Sequence, residues 1–148
     1  MDASENIDVA GRALAVVERD GAHDPATGNA LTGSWLWDSA VVLATHLASA
    51  DPSTLLGATV LELGAGTGLP GIAAVACFGA ARCVLTDVRP LLPGLRANAE
   101  ANGLTPAQAD VRELRWGGGR RMTWRCSIVR SRAWTWCSCP NRRERSLS

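Results

Sequence analysis

At 148 residues the chain has room for one domain of ordinary size, and a 47% hydrophobic fraction is that of a globular protein. No run of about 18 apolar residues occurs, and the opening MDASENIDVAG is acidic without an apolar core, so neither a membrane span nor a secretory leader is expected. The net charge of +1 conceals an asymmetry: up to Trp116 there are 13 acidic residues against 7 arginines, and from Gly117 onward 8 arginines against the single carboxylate of Glu144.

In chain order, the first 30 residues hold one alternating apolar stretch, Ala13 to Glu18, and a turn-rich DGAHDPATGN, which together predict a short hairpin or a mobile lead-in. Asp38 or Ser39 is placed to cap a helix continuing as AVVLATHLASA, with Val41, Val42, Thr45 and Leu47 as its core-facing stripe. After a linker, DPSTLLG, the pattern predicts a strand from Thr59 to Leu63, a helix from Pro70 to Gly79, and a strand from Cys83 to Thr86. A helix from Gly94 to Asn102, stopped by Gly103, and a strand from Ala109 to Leu114 follow. This β-α-β-α-β order is the opening of a doubly wound α/β sheet.

The most informative stretch is TVLELGAGTGLPG, Thr59 to Gly71. An apolar strand ends at the acidic Glu62, and Gly64, Gly66 and Gly68 follow as G-x-G-x-G, a turn tight enough to bring backbone up to a nucleoside-bearing cofactor. Such turns serve both dinucleotides and S-adenosylmethionine. The spacing differs from G-x-G-x-x-G, and a carboxylate two residues before the first glycine is electrostatically unwelcome beside a pyrophosphate, whereas a sulfonium with an α-amino group tolerates or uses it. Asp87, at the end of the second strand, stands where an acidic side chain accepts ribose hydroxyls in either cofactor class. Each of these residues also has a plain structural reading: Asp87 as a turn cap, Glu62 as a strand-end ion-pair partner, the glycines as an ordinary turn.

Three further segments join the loop: LTGSWLWDSAVVLATHL from Leu31, VLTDVRPLLPGLRANAEANGL from Val84, and VRELRWG from Val111. Together these resemble the seven-stranded protein lysine methyltransferases of methyltransferase family 16, in particular its methyltransferase-21-like group, continuously from Leu31 to Gly117. The resemblance implies an S-adenosyl-L-methionine cofactor and a protein substrate carrying a target lysine. It implies that Trp37 packs over the cofactor, that Gly64, Ala65 and Gly66 lie under its methionine end, that Asp87 holds the ribose, and that Trp116 lies beside the adenine. With Glu62 these are the candidate cofactor-binding residues; Trp37 and Trp116 could equally be core aromatics, and Asp38 reads as a helix cap. The family's amine-side residues, an acidic residue and a nearby aromatic, follow its fourth strand, and no matching segment is found in this chain, so no catalytic residue is assigned.

From about Arg120 the sequence turns into RRMTWRCSIVRSRAWTWCSCPNRRERSLS, without helical or strand period. Cys126, Cys137 and Cys139 match no metal-knuckle spacing, and no metal is expected. When codons are rebuilt from the third base of each codon and the first two of the next, Met122 to Thr123 forces Asp, Trp134 to Thr135 forces Asp, and Trp136 to Cys137 forces Val. Allowed choices over Ala133 to Asn141 then spell Val-Asp-Leu-Val-Leu-Val-Ser-Glu, the family's fourth strand. The expectation is a methyltransferase frame lost after about Gly119, with three regions: a lead-in (1–30), an incomplete cofactor-binding domain (31–117) and a basic, irregular tail (118–148). The lost strand would leave Val60 to Leu63 as an exposed sheet edge open to self-association.

The truncated form is accordingly expected to be inactive or impaired, in cytosol or nucleus. A noncatalytic cofactor-binding or interaction module is the main alternative. A nicotinamide-dependent oxidoreductase is disfavoured by Glu62 and the glycine spacing. An Arg- and Trp-bearing nucleic-acid arm is the rival reading of the tail, and is also disfavoured.

Overall fold

The computed structural model describes residues 3–115 and 133–137. A hairpin comes first: β1 (Ala3–Val9) pairs antiparallel with β2 (Arg12–Glu18). Both turn residues have positive φ, Ala10 at 54° and Gly11 at 80°, the handedness that matches the twist of two paired strands. Val9, Leu14 and Val16 are buried in the same core cluster as the sheet and helices that follow.

A short 3-10 turn at Thr32–Ser34 leads into α1 (Asp38–Leu47), and α2 (Pro52–Leu55) is a single turn within the expected linker. Then come β3 (Thr59–Leu63), α3 (Leu69–Ala76), β4 (Arg82–Asp87), α4 (Leu92–Ala101) and β5 (Ala109–Glu113). The strands run parallel in the order β5-β4-β3, with register Leu61 to Val84 and Leu85 to Val111. Their burial reflects this: Cys83, Val84, Leu85 and Thr86 of β4 are all buried, as a parallel strand covered on both faces requires. Leu69 and Ile72 of α3 and Leu95 of α4 close the core around them.

Two expectations are corrected, besides the cap of α1: its N-cap is Trp37 with no side-chain capping hydrogen bond, and Asp38 and Ser39 already lie in the helix. Helix α1 buries Ala40, Ala44 and Leu47, while Val42 and Thr45 are exposed. The helix packs on α3, where Ala73 and Ala74 are buried, and such a close approach selects alanines over the more hydrophobic valine. The second correction concerns the sheet edge. Ala133–Cys137 forms a further strand, β6, parallel to β3 with Thr59 opposite Ala133 and Leu63 opposite Cys137. The sheet is therefore β5-β4-β3-β6, and Val60 to Leu63 are not an open edge. Backbone pairing makes few demands on side-chain identity, and Trp and Thr are good strand formers, which explains how a segment without evident period fills that place. Self-association through the β3 edge loses its structural basis.

Candidate functional site

The C-terminal ends of β3 and β4 open into a cleft of about 280 Å³. This is where an open parallel sheet binds ligands, because loops diverge there to either side. One wall is the glycine loop, Gly64 to Thr67, with Asp87 and Val88 beside it; the other is the segment from Ala30 to Trp37. Of the seven residues expected to hold a cofactor, five line this cleft: Trp37, Gly64, Ala65, Gly66 and Asp87. Trp116 lies outside the described residues.

Asp87 organises the loop wall. Its Oδ2 accepts the Gly66 N–H at 2.7 Å, and its Oδ1 accepts the Val88 N–H at 2.7 Å. Burial pushes the carboxyl above its ordinary pKa, against the pull of these two donors. Each oxygen keeps a further lone pair, so the carboxylate can still accept from a ligand hydroxyl.

Glu62 takes a different position. Its side chain does not line the cleft: it is 1% exposed and turned toward the start of α3, where Oε2 accepts the Gly71 N–H at 2.9 Å. Oε1 is buried without a partner among the described residues. Burial, which outweighs the Gly71 hydrogen bond and is reinforced by the charge of Asp87, raises its pKa to about 8.

The loop's backbone donors are largely spent within the protein. The Ala65 N–H donates to Thr86 O at 2.9 Å, Gly66 to Asp87, and Gly68 to Ala65 O at 2.7 Å. In the first turn of α3, Pro70 has no N–H and that of Gly71 is taken by Glu62. A phosphate needs several free N–H groups converging on it, and this loop has those of Ala65, Gly66, Gly68 and Gly71 already engaged while presenting a carboxylate. The cleft suits a ligand with hydroxyl donors and positive charge.

The opposite wall is held by glycine packing that the sequence reading did not single out. A Cβ on Gly66, whose φ is +57°, would meet the Gly33 carbonyl oxygen at 2.7 Å, and one on Gly33 would meet Leu91 Cδ1 at 2.6 Å. Gly66 lets the walls approach backbone to backbone, and Gly33 makes room for the Leu91 side chain. Trp35 is the other residue missed. It and Trp37 are two apart in extended backbone, so both indoles reach the same cleft, and they are 45% and 39% exposed at its mouth. Trp37 is oriented by its Nε1–H, which donates to Thr32 O at 2.9 Å. The period-two spacing of Trp35 and Trp37 was the available signal.

A family model described as lysine methyltransferase matches residues 24–125. The chain belongs to this lysine methyltransferase family. Mouse protein N-lysine methyltransferase METTL21A is 45% identical over 85 residues, which are 55% of this chain and 37% of that protein. METTL21A of Danio rerio is 44% identical over 84 residues, with the same shares. Protein N-terminal and lysine N-methyltransferase efm7 of Emericella nidulans is 31% identical over 94 residues, 59% of this chain and 36% of its own length. The chain thus spans little more than a third of each of these relatives. In this family setting the cleft, with its carboxylate, aromatic mouth and spent backbone donors, is the candidate cofactor site. Among the described residues no helix is long and apolar enough to cross a membrane.

Proposed function

We propose that this chain is a protein-lysine N-methyltransferase by descent that retains the cofactor half of the site and lacks the amine half. The observation that carries the first part is the meeting of Asp87, the Gly64–Gly66 backbone and the Trp37 indole around one cleft. The donor set fits S-adenosylmethionine: a carboxylate for the ribose diol, indole faces for adenine or the sulfonium charge, and loop amides of Ala65, Gly66 and Gly68 already bonded within the protein, where a pyrophosphate wants several free ones. That last feature weighs against a nicotinamide dinucleotide.

When bound, S-adenosylmethionine supplies an electrophilic methyl group. In the proposed arrangement Asp87 holds the ribose while its Gly66 hydrogen bond fixes the loop beneath the methionine portion. Trp37, pinned through Thr32, covers the ligand from the other wall and excludes water, with Trp35 at the entrance. Trp116 is proposed to lie beside the adenine. Glu62 is proposed to act from behind the loop, setting the start of α3.

The target lysine of a protein substrate, with an ordinary pKa of about 10.4, must be desolvated or deprotonated and aligned with the methyl group. The residues after β6 read SCPN and supply neither a carboxylate nor an aromatic ring for this task. We attribute this to a reading frame lost after about Gly119, which leaves the form inactive or impaired in transfer. The change of composition near Arg120 supports that origin.

The test compares this chain with one carrying the restored frame. Calorimetry with S-adenosylhomocysteine, and transfer of labelled methyl to protein, should give binding in both and transfer only in the restored chain. Binding of NAD without S-adenosylhomocysteine would overturn the reading. Efficient methyl transfer by the chain as it stands would refute the missing amine half.

A further inference from the structure

The face that α4 turns toward the hairpin carries two asparagines that behave as a substitute strand. Asn102 Oδ1 accepts the Ala15 N–H at 2.9 Å and its Nδ2 donates to Ala15 O at 2.7 Å. One helical turn earlier, Asn98 Oδ1 accepts the Val17 N–H at 3.0 Å and its Nδ2 donates to Val17 O at 3.3 Å. Residues two apart on a strand and four apart on a helix both rise by about 6 to 7 Å, so the carboxamides match successive same-side peptide groups of β2. Because every partner is a backbone group, the orientation of each amide is fixed by its hydrogen bonds.

The two asparagines differ in their remaining bond. Asn102 Nδ2 donates to Asn98 O, within its own helix, at 2.8 Å. Asn98, only 1% exposed, donates to the Thr67 carbonyl at 3.0 Å. Thr67 is the next residue after Gly66 in the glycine loop and is itself buried. The end of β2 meanwhile holds the other wall of the cleft: the Arg19 N–H donates to Ser34 O at 3.2 Å, and Glu18 Oε1 accepts the Leu36 N–H. One strand is thus bonded to the segment bearing Trp35 and Trp37 and, through Asn98, to the glycine loop facing it.

We propose that Asn98 is a positioning residue for the cofactor cleft, tethering the Thr67 carbonyl of the glycine loop to the hairpin strand that holds the opposite wall. The loop's hold on ligand then depends on a side chain that does not itself line the cleft. This rests on the cofactor reading above, and its test separates the two.

The full chain is compared with Asn98→Asp, Asn98→Ser and, as the matched control, Asn102→Ala. Asn98→Asp keeps an acceptor for the Val17 N–H but removes the donor to Thr67; Asn98→Ser is a smaller change should the buried charge prevent folding. Three quantities are measured: melting temperature, amide exchange at Gly66 and Gly68 without ligand, and calorimetric affinity for S-adenosylhomocysteine. The Asn98 variants should speed loop exchange and weaken affinity by about ten-fold, the scale of one lost buried hydrogen bond. Asn102→Ala should lower the melting temperature while leaving exchange and affinity within about two-fold of the parent. Equal loop exchange in the Asn98 and Asn102 variants would overturn the tether. If the parent chain binds no S-adenosylhomocysteine, the cofactor reading fails, and the exchange comparison still decides whether Asn98 holds the loop.

Discussion

Replacing Glu62 by glutamine should remove a large part of the pH dependence of stability. Its carboxyl titrates at about 8 in the folded protein against an ordinary 4.5, because it is buried, with one N–H donor and the Asp87 charge nearby. The sign follows from proton binding: between these values the folded protein keeps a proton that the unfolded chain releases, so stability is fully present below about pH 4.5 and is lost as pH rises toward 8. At about 1.4 kcal/mol per pH unit, the loss between about pH 5 and pH 7.5 is about 3 kcal/mol. This is a large share of a stability of about 5 to 15 kcal/mol.

Glutamine mimics the protonated carboxyl: its Oε1 can accept the Gly71 N–H, and it cannot ionise. The assay is urea denaturation followed by tryptophan fluorescence across that range. Glu62→Gln should match the parent near pH 5 and exceed it by about 3 kcal/mol near pH 7.5. Glu62→Leu serves as control: it should also lose the slope but pay about 1 to 3 kcal/mol at every pH for the unpaired Gly71 N–H. Parallel stability curves for the parent and Glu62→Gln from pH 5 to 8 would refute the reasoning, since they would mean that the buried carboxyl ionises as readily folded as unfolded.

Gly66→Ala should cost about 1 to 3 kcal/mol, because it places a Cβ at a left-handed φ and 2.7 Å from the Gly33 oxygen, and thermal denaturation would show it. Its S-adenosylhomocysteine affinity should fall with it, as the two walls are forced apart. Asp87→Asn turns one of two acceptors into a donor facing the N–H of Gly66 or Val88; calorimetry should show affinity reduced at least about ten-fold, and an unchanged value would argue against Asp87 as the ribose ligand. Ala10→Asn should stabilise the chain by about 0.5 to 1 kcal/mol, since Ala10 sits at φ 54° in the hairpin turn where asparagine is better tolerated; a chemical denaturation midpoint shifted downward would contradict the turn assignment.

What was legible in the sequence follows from which interactions are local. The strand, glycine turn and helix of Thr59 to Ala76 are marked by periodicity and by glycines whose spacing is itself the signal, and Asp87 is placed by its position at a strand end. The direction of Glu62 was not legible: the same strand end can send a carboxylate toward the cleft or toward the start of α3, and only the packing of Gly71 against it decides. Gly33 gave no signal because the atom that crowds it, Leu91 Cδ1, belongs to a residue 58 positions away. What Asn98 and Asn102 hold was not legible either, because they are bonded to a strand more than 80 residues earlier.

The strand β6 separates two requirements that the sequence reading had treated as one. Completing a sheet asks for backbone pairing and residues tolerant of extended conformation, and Ala133–Cys137 meets it against β3. Completing a methyl-transfer site asks for particular side chains at the end of that strand, and we propose that a segment reading SCPN does not provide them. A change of reading frame can satisfy the first requirement by chance, because many sequences form a short strand beside an existing parallel edge. It has almost no prospect of satisfying the second, because catalytic groups must be of one kind and held within about 0.5 Å of a productive geometry. On the reading proposed for this chain, the fold and the cofactor cleft therefore outlast the chemistry. Cofactor binding without methyl transfer is the combination that distinguishes this state from an intact enzyme and from an unfolded fragment.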